Sequence, residues 1–270
     1  MSSLSGSDRS GSDRSGSDRR TSSQPNHIIN HKYEIQQFLD KGSFGSVYYG
    51  INRFNQQPVA IKIETTPVGL LLHETTVLNY LFRNGCLRIP KVFWYGLYEN
   101  HPCLVMNHYT RSLQDYIPES PQQIVRRILE LIRPIHQAGV IHRDIKPSNF
   151  MWTSANPPEL HLIDFGLSSV YMDNEGNLLG EEPAHAENLT GNVAYMSDFV
   201  EQGRKPSRRD DMISIGFVYM KLCQQPIPVH KSWTSLCENE FIKGDVFLYP
   251  YLEHCCSLKW GETPFYDFFH

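Results

Sequence analysis

Three polar side chains within residues 142–150 have the types and spacing that phosphoryl transfer requires. Asp144 supplies a carboxylate, and Lys146 and Asn149 follow it by two and five residues. A second carboxylate, Asp164, comes fifteen residues after the amide, directly after an apolar stretch. Transfer of a phosphoryl group from a nucleotide needs a carboxylate at the attacking hydroxyl, a cation on the migrating group and oxygen ligands for magnesium. The set therefore predicts a phosphotransferase that uses Mg-ATP.

Each member of this set has a separate predicted role. Asp144 is the candidate for orienting the substrate hydroxyl and accepting its proton late in the reaction. Lys146 would neutralise charge on the γ-phosphoryl group. Asn149 and Asp164 would bind magnesium through oxygen, which is the ligand atom that this hard cation prefers. A chance surface loop could contain any two of these groups, so the prediction depends on their order and spacing taken together.

A glycine-containing turn and a lysine upstream are candidates for nucleotide binding. Gly42 and Gly45 lie in a turn where backbone N–H groups could approach phosphates without obstruction by side chains. Lys62 follows in an apolar stretch, where an unpaired ammonium would be costly to bury. Glu74, twelve residues later on a predicted helix, is the natural partner for that ammonium. Taken singly, the turn could be an ordinary hairpin and each charge could be solvated.

The overall composition excludes several other classes of protein. The chain has 270 residues, of which 40% are apolar, so it can bury a sizeable core in one large domain or two small ones. The formal net charge of −4 argues against nucleic acid as the main partner. No apolar run is long enough to cross a bilayer, and no hydrophobic signal segment is present at the N-terminus. We therefore expect an intracellular monomer, in the cytoplasm, the nucleus or both, that is neither secreted nor bound to membranes.

A repetitive tail precedes the predicted folded part. Residues 5–19 are three identical copies of Ser-Gly-Ser-Asp-Arg. The repeats contain no apolar residue to bury and a charge pair in every copy, so they cannot offset the entropy lost on ordering. We predict that residues 1–27 are a disordered tail. A docking or phosphoacceptor role for its serines is the alternative.

Residue patterns after the tail divide the chain into two parts. Residues 28–107 have mostly the pattern of short strands rich in β-branched and aromatic residues, with one helix predicted from apolar residues at intervals of three and four. Residues 108–270 are predicted to be mainly helical, with one helix that begins at Pro121 and ends before Gly139. The other predicted elements are strands over residues 33–39, 46–52 and 58–63, and helices over residues 70–81 and 210–223.

With these motifs placed, the chain resembles a eukaryotic-type protein kinase over residues 33–225. Within that superfamily it is most similar to the casein kinase one group, and the end of its catalytic loop, Pro-Ser-Asn-Phe, is also similar to the tau-tubulin kinases. Like that group, the chain lacks the usual Ala-Pro-Glu motif and has Met196-Ser197-Asp198 in its place. The motifs that carry the narrower resemblance are Ile89-Pro90 with Trp94-Tyr95-Gly96, Leu104-Val105-Met106 before Ser112-Leu113, Asn188-Leu189-Thr190-Gly191, and Arg208-Arg209-Asp210-Asp211-Met212.

The resemblance implies a fold and a chemistry. The fold would be α+β and bilobal, with a small antiparallel β-sheet and one helix in the N-lobe and a larger, mainly helical C-lobe. ATP and Mg²⁺ would be the cofactors, and proteins with serine or threonine acceptors would be the substrates, because Lys146 followed by Pro147 is the serine/threonine form of the loop. The further roles implied are Leu39, Val47 and Ala60 around the base, Met106 as gatekeeper, Asn107 to Tyr109 as the hinge, and Asp211 as the brace of the catalytic loop.

Three positions depart from the pattern of the family. Asp40 stands where the first glycine of the phosphate loop is expected, and its negative charge should weaken ATP binding without abolishing it. Asn192 stands where serine/threonine kinases usually carry a threonine that bridges the catalytic aspartate and lysine. An asparagine amide could still bond Asp144, so we expect reduced activity and not its loss. Ala194 replaces an arginine with which the casein kinase one group holds an anion.

The predicted activation segment also differs in charge from that of the group, which is basic. Residues 173–187 contain no lysine or arginine and five acidic residues: Asp173, Glu175, Glu181, Glu182 and Glu187. Like charges repel at short range. We therefore hypothesise that this chain has lost the group's preference for acidic or pre-phosphorylated substrates. The alternative is a solvated acidic loop without influence on substrate choice.

Two other functions stay open at this stage. A pseudokinase would keep the fold as a scaffold for nucleotide or partners with little catalysis, and Asp40 and Asn192 are compatible with that function. A small-molecule kinase could share the same core. Against the pseudokinase stand the six polar groups of the site, all of which are present in this sequence: Lys62, Glu74, Asp144, Lys146, Asn149 and Asp164.

Overall fold

The computed structural model describes residues 27–42, 45–66, 68–173, 175–181 and 191–268. Residues 1–26 of the predicted tail therefore lie outside the described residues, as do residues 182–190 of the predicted activation segment. In the described part, a β-sheet region is followed by a mainly helical region. The α+β class predicted from the sequence is thus confirmed.

The N-terminal region is built on a six-stranded antiparallel sheet. Its strands lie in the order β1-β2-β3-β4-β6-β5, so strands consecutive in the chain pair with each other except β4 and β5, which are separated by β6. The strands predicted from the sequence are confirmed, with ends that differ by one or two residues. The strands are β1 (Ile28–Ile29), β2 (Tyr33–Lys41), β3 (Gly45–Asn52), β4 (Pro58–Glu64), β5 (Val92–Tyr98) and β6 (His101–Asn107).

Alternation along β4 gives this sheet two different faces. Val59 and Ile61 pack into a small cluster on one face, whereas Ala60 belongs to the main core on the other. Successive side chains of a strand point to opposite faces of the sheet. Lys62 therefore projects on the same side as Ala60. In this way the strand directs one charged side chain away from the outer cluster and towards the interior of the molecule.

Helix α1 (Leu70–Arg83) packs on the inner face of the sheet and has an unusual start. The residue before it, Gly69, has a φ of 77° and no side chain to cap the helix. Instead, the Glu64 carboxylate at the end of β4 accepts hydrogen bonds from the N–H groups of Leu70 and Leu71, at 3.0 and 3.4 Å. These bonds satisfy two of the N–H groups that a helix start leaves unpaired, with a negative charge at the positive end of the helix dipole. Glu64 thereby ties the start of α1 to β4.

Helix α2 (Pro121–Gln137) has the ends that the sequence predicts. Ser120 and Gln123 form a reciprocal capping box, in which Ser120 N donates to Gln123 Oε1 at 3.1 Å. Pro121 occupies the first helical position, where its missing N–H group has no cost. Gly139 follows the helix with a φ of 82°, a conformation that glycine adopts without strain.

The described residues after α2 form five helices, of which four have ten residues or fewer and the fifth, α4, forms the centre of the C-terminal region. They are α3 (Asp198–Glu201), α4 (Arg208–Leu222), α5 (Trp233–Leu236), α6 (Glu240–Gly244) and α7 (Leu248–Ser257). Helix α4 begins two residues before its predicted start, because the Asp210 carboxylate caps it by accepting bonds from Ser207 N and Oγ at 2.7 and 3.0 Å. All of its residues except Lys221 are buried, so α4 is a core helix.

Five short strands of the described chain flank the loops that contain the candidate catalytic and metal-binding residues. Strands β7 (Arg111–Ser112), β9 (Phe150–Trp152) and β10 (Leu160–Leu162) form one antiparallel sheet, and β8 (Val140–Ile141) pairs with β11 (Ser169–Val170). The predicted catalytic loop, residues 142–149, connects β8 to β9, and we call it the catalytic loop below. The predicted metal-binding loop, residues 164–166, lies between β10 and β11, and we call it the metal loop. Among the described residues, no helix is both long enough and apolar enough to cross a membrane.

Candidate active site

A cleft of about 780 Å³ lies between the sheet and the catalytic loop. Its volume is within the range of about 300–1,000 Å³ that is typical of small-molecule pockets. The fold brings every residue that the sequence analysis assigned to catalysis, nucleotide or metal into the lining of this one cleft. These residues are Leu39, Gly42, Gly45, Val47, Ala60, Lys62, Glu74, Met106, Asn107, Tyr109, Asp144, Lys146, Asn149 and Asp164.

Lys62 is the centre of a cluster of three charged groups in the cleft. Its Nζ atom donates to both carboxylate oxygens of Glu74, at 2.8 and 3.0 Å, and to Oδ1 of Asp164 at 3.2 Å. Glu74 is almost fully buried, whereas the Asp164 side chain is 46% exposed to the cleft. The ammonium thus joins strand β4, helix α1 and the metal loop. The partner predicted for Lys62 is confirmed, and Asp164 is a second one.

The charges of this cluster follow from the balance between burial and pairing. Burial alone would lower the pKa of Lys62, but the carboxylates of Asp164 and Glu74 outweigh it and hold that pKa above its ordinary value. Burial raises the pKa of Glu74 against the opposing effect of Lys62. The charge of Lys62 holds the pKa of Asp164 below its ordinary value. Lys62 is therefore a cation at any physiological pH.

A second polar cluster lies within the catalytic loop. Lys146 Nζ donates to Oδ2 of Asp144 at 2.6 Å, and Asn149 Nδ2 donates to the same oxygen at 2.9 Å. Asn149 Nδ2 also donates to the backbone carbonyl of Asp144 at 2.8 Å. The offsets of two and five residues seen in the sequence thus become direct contacts, because the 3₁₀ turn Pro147–Asn149 folds the loop back on itself.

The other carboxylate oxygen of Asp144, Oδ1, is buried and has no hydrogen-bond partner within the described ranges. Asn192 lines the cleft but does not fill this place. Its side-chain Oδ1 accepts a hydrogen bond from Ala194 N at 3.0 Å and so caps the 3₁₀ turn Val193–Tyr195. The expected bond from Asn192 to Asp144 is therefore not formed. The reason is local: a short asparagine side chain caps the turn that directly follows it.

Asp211 of α4 anchors the start of the catalytic loop through two hydrogen bonds to its backbone. Its Oδ2 atom accepts from His142 N at 2.7 Å, and its Oδ1 atom accepts from Arg143 N at 2.9 Å. Burial alone would raise the pKa of Asp211, but the bonds that it accepts, that from His136 above all, outweigh burial and hold it below its ordinary value. The brace expected from the resemblance is confirmed by these contacts.

Two residues of the site have strained backbone conformations. Arg143 has a φ of 70° and Asp164 a φ of 68°, in the left-handed region that non-glycine residues rarely adopt. Such strain costs of order 1–3 kcal/mol per residue and persists only where the surroundings impose it. Here the surroundings are the Asp211 carboxylate on Arg143 and the Lys62 ammonium on Asp164. Strain of this kind is common where side chains must be aimed at a substrate.

Apolar residues line the cleft from both regions of the molecule. Val47 and Ala60 lie on strands of the large sheet, as the sequence predicts for the base-binding side. Met151 on β9 and Ile163, directly before the metal loop, line the cleft from the C-terminal region. Neither residue was assigned to the site from the sequence. They are apolar residues next to the polar motifs, and the sequence has no motif that marks them as part of the cleft.

The predicted hinge connects β6 to the C-terminal region. Met106 is 4% exposed, as a gatekeeper at the back of the cleft would be. The side chain of Asn107 accepts a hydrogen bond from Lys91 N at 2.8 Å, so the fold already uses it. Tyr109 contacts Nδ1 of His161 through its hydroxyl at 3.1 Å, and burial raises the pKa of Tyr109. A base in the cleft would therefore meet the backbone of the hinge more than these side chains.

The two glycines of the predicted phosphate loop have different structural roles. A Cβ atom on Gly45 would lie 2.1 Å from the carbonyl oxygen of Ile63, so only glycine allows β3 and β4 to pass here. A Cβ on Gly42 would be in ordinary contact, 3.8 Å from the carbonyl oxygen of Gly45. Asp40 lines the same end of the cleft, and its side chain accepts a hydrogen bond from Lys41 N at 2.7 Å. A carboxylate thus lies where phosphates would bind.

Contacts that the sequence analysis missed hold helix α1 against the metal loop. His73 Nε2 lies 2.8 Å from the carbonyl oxygen of Ser168, two residues after that loop. Near the other end of the helix, the Tyr80 hydroxyl donates to the carbonyl oxygen of Ala138 at 2.9 Å. Together with Glu64 at the helix start, these bonds fix α1 at three points along its length. Glu74 is thereby kept in reach of Lys62.

Two oxygen ligands in the cleft, from Asn149 and Asp164, fit a magnesium ion that is shared with phosphates. Asn149 uses Nδ2 for both of its bonds to Asp144, since both partners can only accept, and its amide oxygen is left for a cation. Asp164 contributes a partly exposed carboxylate. No group of three or more His, Cys, Asp and Glu in the described part of the chain could hold a metal by itself. Magnesium needs no such group, because it commonly binds one or two protein oxygens together with substrate phosphates.

Comparison with known proteins agrees with this geometry. The family model of the protein kinase domain matches residues 33–246. Among curated proteins, casein kinase I homolog 3 of Schizosaccharomyces pombe is 30% identical over an alignment of 219 residues that covers 77% of this chain and 50% of that protein. The chain therefore spans about half the length of the curated relative that it matches.

Proposed function

This chain belongs to the protein kinase family and resembles casein kinase 1, and on that premise we propose that it is an active serine/threonine protein kinase. It transfers the γ-phosphoryl group of Mg-ATP to serine and threonine hydroxyls of proteins. The similarity to a casein kinase I homolog supports this assignment, as does the pair Lys146-Pro147, which is the serine/threonine form of the loop. A monomer inside the cell, with no nucleic acid or membrane as partner, stays a prediction from the sequence.

The observation that carries the proposal is the meeting of two polar clusters in one cleft. The Lys62 ammonium is bonded to Glu74 and Asp164, and the Asp144 carboxylate is bonded to Lys146 and Asn149. A chain that kept the fold only as a scaffold would have no need for either cluster. Burying these charges is costly unless they pair, and the pairs leave the groups aimed at the same space.

The geometry of the catalytic loop supports a direct transfer. The hydroxyl of the acceptor residue bonds the carboxylate of Asp144, which lines the cleft and whose Oδ1 atom has no hydrogen-bond partner among the described residues. As the hydroxyl oxygen forms its bond to the γ-phosphorus, the bond from that phosphorus to the β–γ bridging oxygen breaks and ADP leaves. The hydroxyl proton passes to Asp144 late in the reaction. Lys146, held at Oδ2 of the same carboxylate, stabilises the negative charge on the migrating phosphoryl group.

The remaining residues hold the nucleotide. Lys62 pairs with the α- and β-phosphates, and its bond to Glu74 fixes the position of the ammonium. The base lies between Val47 and Ala60 on one side and the apolar residues of the C-terminal region on the other. Asn149 and Asp164 would hold magnesium. The ion, when bound, neutralises charge on the β- and γ-phosphates.

The charges of the residues around Ala194 and in the activation segment favour substrates that are not acidic. Ala194 is exposed and uncharged, and the nearby ammonium of Lys231 is already used within the fold. It donates to the carbonyl oxygen of Val193 at 2.5 Å and pairs with Glu201. Residues 173–187 contain five acidic residues and no basic ones, so the sequence of this segment supplies no cation for a phosphorylated or acidic substrate. The preferred acceptors therefore lie in neutral or basic sequences.

A pseudokinase scaffold is the second candidate, and two observations favour it. Asn192 caps its own turn and does not approach Asp144, and Asp40 brings a carboxylate to the phosphate end of the cleft. Both changes weaken catalysis or nucleotide binding. Neither removes a group that transfer requires, so the active enzyme is the better-supported function.

A transfer assay with a catalytic-loop variant distinguishes these functions. The purified chain is incubated with γ-labelled ATP, magnesium and casein beside the variant Asp144→Asn, and nucleotide binding is measured separately with a fluorescent ATP analogue. We expect label on protein that disappears in Asp144→Asn while the analogue still binds. Binding without transfer by the wild-type chain would support the scaffold, and equal labelling by both proteins would refute the proposed role of Asp144. Label on small hydroxyl compounds in place of casein would indicate a small-molecule kinase.

A further inference from the structure

Residues 258–268 pack against the helices that support the catalytic loop. The C-terminal segment, as we call these residues, lies beyond residue 246, where the match to the protein kinase family model ends. Arg209 donates to the carbonyl oxygen of Leu258 at 2.8 Å, and Arg208 donates to that of Gly261 at 2.7 Å. Helix α4 therefore binds the backbone of this segment directly.

One side chain of the C-terminal segment reaches the anchor of the catalytic loop. The hydroxyl of Tyr266 lies 2.8 Å from Nδ1 of His136 on α2, and Nε2 of the same imidazole lies 3.0 Å from Oδ2 of Asp211. Asp211 in turn accepts from His142 N and Arg143 N at 2.7 and 2.9 Å. A continuous chain of hydrogen bonds thus runs from Tyr266 to the backbone that precedes Asp144.

The direction of every bond in this chain follows from what each group can donate. The Asp211 carboxylate is ionised and only accepts, so Nε2 of His136 must carry a proton and donate it. Burial lowers the pKa of His136, which favours the neutral imidazole. A neutral imidazole with a proton on Nε2 has a bare Nδ1, and this atom accepts from the hydroxyl of Tyr266. The Asp211 carboxylate thus sets the tautomer of His136, and the Tyr266 hydroxyl stabilises it by donating to Nδ1.

All three groups are shielded from water. Tyr266 is 8% exposed, Asp211 is 2% exposed and His136 is fully buried. A buried acceptor that loses its donor has no water to replace it, so each bond depends on the one before it. Arg133 of α2 also lies over the Tyr266 ring, 5.4 Å from its centroid, and pairs with Asp267. Arg133 on α2 and Asp267, the next residue in the chain, thus help to hold Tyr266 at this site.

We propose that Tyr266 is a positioning residue for phosphoryl transfer, which acts through His136 and Asp211 on the backbone of the catalytic loop. The inference rests on the proposed kinase function and extends it to a segment outside the family match. Without the Tyr266 hydroxyl, the buried Nδ1 of His136 has lost this donor, the imidazole is less firmly oriented, and Asp211 holds the amides of His142 and Arg143 less firmly. Asp144 then departs from the position at which it meets the acceptor hydroxyl, and a small displacement of a reacting group lowers the rate strongly.

The test removes one hydroxyl and compares it with a matched removal elsewhere. Tyr266→Phe keeps the buried ring and loses only the hydroxyl. Tyr219→Phe is the control, because Tyr219 is also fully buried and its hydroxyl also makes hydrogen bonds, to Gln122 and Asp245. Gln122 lies near the start of α2, whereas His136 lies at the end of that helix. Both variants should lower Tm by a similar few degrees, about 2–4 °C. Only Tyr266→Phe should lower kcat. The expected fall is about tenfold, because one hydrogen bond that positions the loop is lost. The KM for ATP should not change.

Amide exchange measures the same link without any catalysis. In Tyr266→Phe, the amide hydrogens of His142 and Arg143 should exchange about tenfold faster than in the wild-type chain, and in Tyr219→Phe at the wild-type rate. Wild-type kcat and wild-type exchange in Tyr266→Phe would overturn the inference, as would equal effects of the two variants. If the wild-type chain transferred no phosphate, the proposed function would fail on its own, and the exchange rates would still decide whether Tyr266 positions the loop.

Discussion

The Nζ atom of Lys146 lies 2.6 Å from Oδ2 of Asp144, whereas the buried Oδ1 of that carboxylate has no hydrogen-bond partner in the part of the chain that the structure describes. The residue that we propose to orient the acceptor is therefore itself oriented by the residue that we propose to stabilise the phosphoryl group. The two roles are coupled through one carboxylate, since a change at either residue alters the position of the other.

Removal of the Lys146 ammonium should affect the rate and not the binding of ATP. In Lys146→Met we expect kcat to fall by about 10²–10³-fold, the usual effect of losing one group that stabilises transition-state charge. The KM for ATP should change little, because Lys62 and the phosphate loop bind the nucleotide. Lys146→Arg keeps the charge and serves as the control. A rise in KM without a fall in kcat would show that Lys146 binds the ground state.

The Lys62–Glu74 pair should contribute to stability as well as to activity. Glu74→Gln leaves the buried ammonium with Asp164 as its one remaining carboxylate partner in the described cluster. We expect a loss of about 2 kcal/mol in the free energy of unfolding, less than the about 3–5 kcal/mol typical of a fully broken buried pair. Urea denaturation measures this loss. The double variant Lys62→Met with Glu74→Leu should regain stability but remain inactive, and a double variant less stable than Glu74→Gln would contradict the interpretation.

Asp40 should weaken ATP binding through its charge. The carboxylate lines the end of the cleft where phosphates are expected, and like charges repel. Asp40→Gly and Asp40→Asn should both lower the KM for ATP by a few-fold, about the effect of one partly screened charge, and the difference between wild type and variants should shrink at high salt. An effect confined to Asp40→Gly would instead implicate the Cβ atom and the backbone of the loop.

The substrate preference can be measured with a positional peptide library. With acidic residues in the activation segment and with Lys231 paired to Glu201, we expect no selection for phosphoserine or for acidic residues upstream of the acceptor. Basic residues should be tolerated or preferred. The measurement should be repeated at high salt, where a preference due to charge becomes weaker. Strong selection for phosphoserine or acidic residues would refute the hypothesis.

Stability should decrease below about pH 6.5 because of buried histidines. Burial lowers the pKa of His136 from its ordinary value of 6.5. The unfolded chain therefore binds a proton near pH 6.5 that the folded chain accepts only at lower pH. The contribution of the neutral His136 to the free energy of unfolding is fully present above that pH and is lost as the pH falls. His108, His161 and His254 act in the same direction, since burial lowers the pKa of each. Urea unfolding between pH 8 and pH 5 measures the decline, and His136→Gln should reduce its slope. An unchanged slope would exclude His136 as a cause.

Much of the site could be predicted because its chemistry lies in short local motifs. The offsets that place Lys146 and Asn149 beside Asp144 are set within one loop, and the alternation that turns Lys62 inward is a property of a single strand. The same locality explains why the elements were found with small errors at their ends. Helix α4 starts earlier than predicted because Ser207 and Asp210 cap it, a detail that apolar periodicity does not contain.

Other features depend on contacts between parts of the chain that are distant in sequence. The bond from Lys62 to Asp164, the cap that Glu64 places on α1 and the link from Tyr266 through His136 to Asp211 each require two packed elements to meet at one point. Asn192 shows the opposite case, since the sequence suggested a distant partner and the side chain bonds its own turn. The sequence alone determined which groups could perform the chemistry. The tertiary structure decided which of them touch, because a polar contact depends on positions fixed to within an ångström by the packing of whole elements.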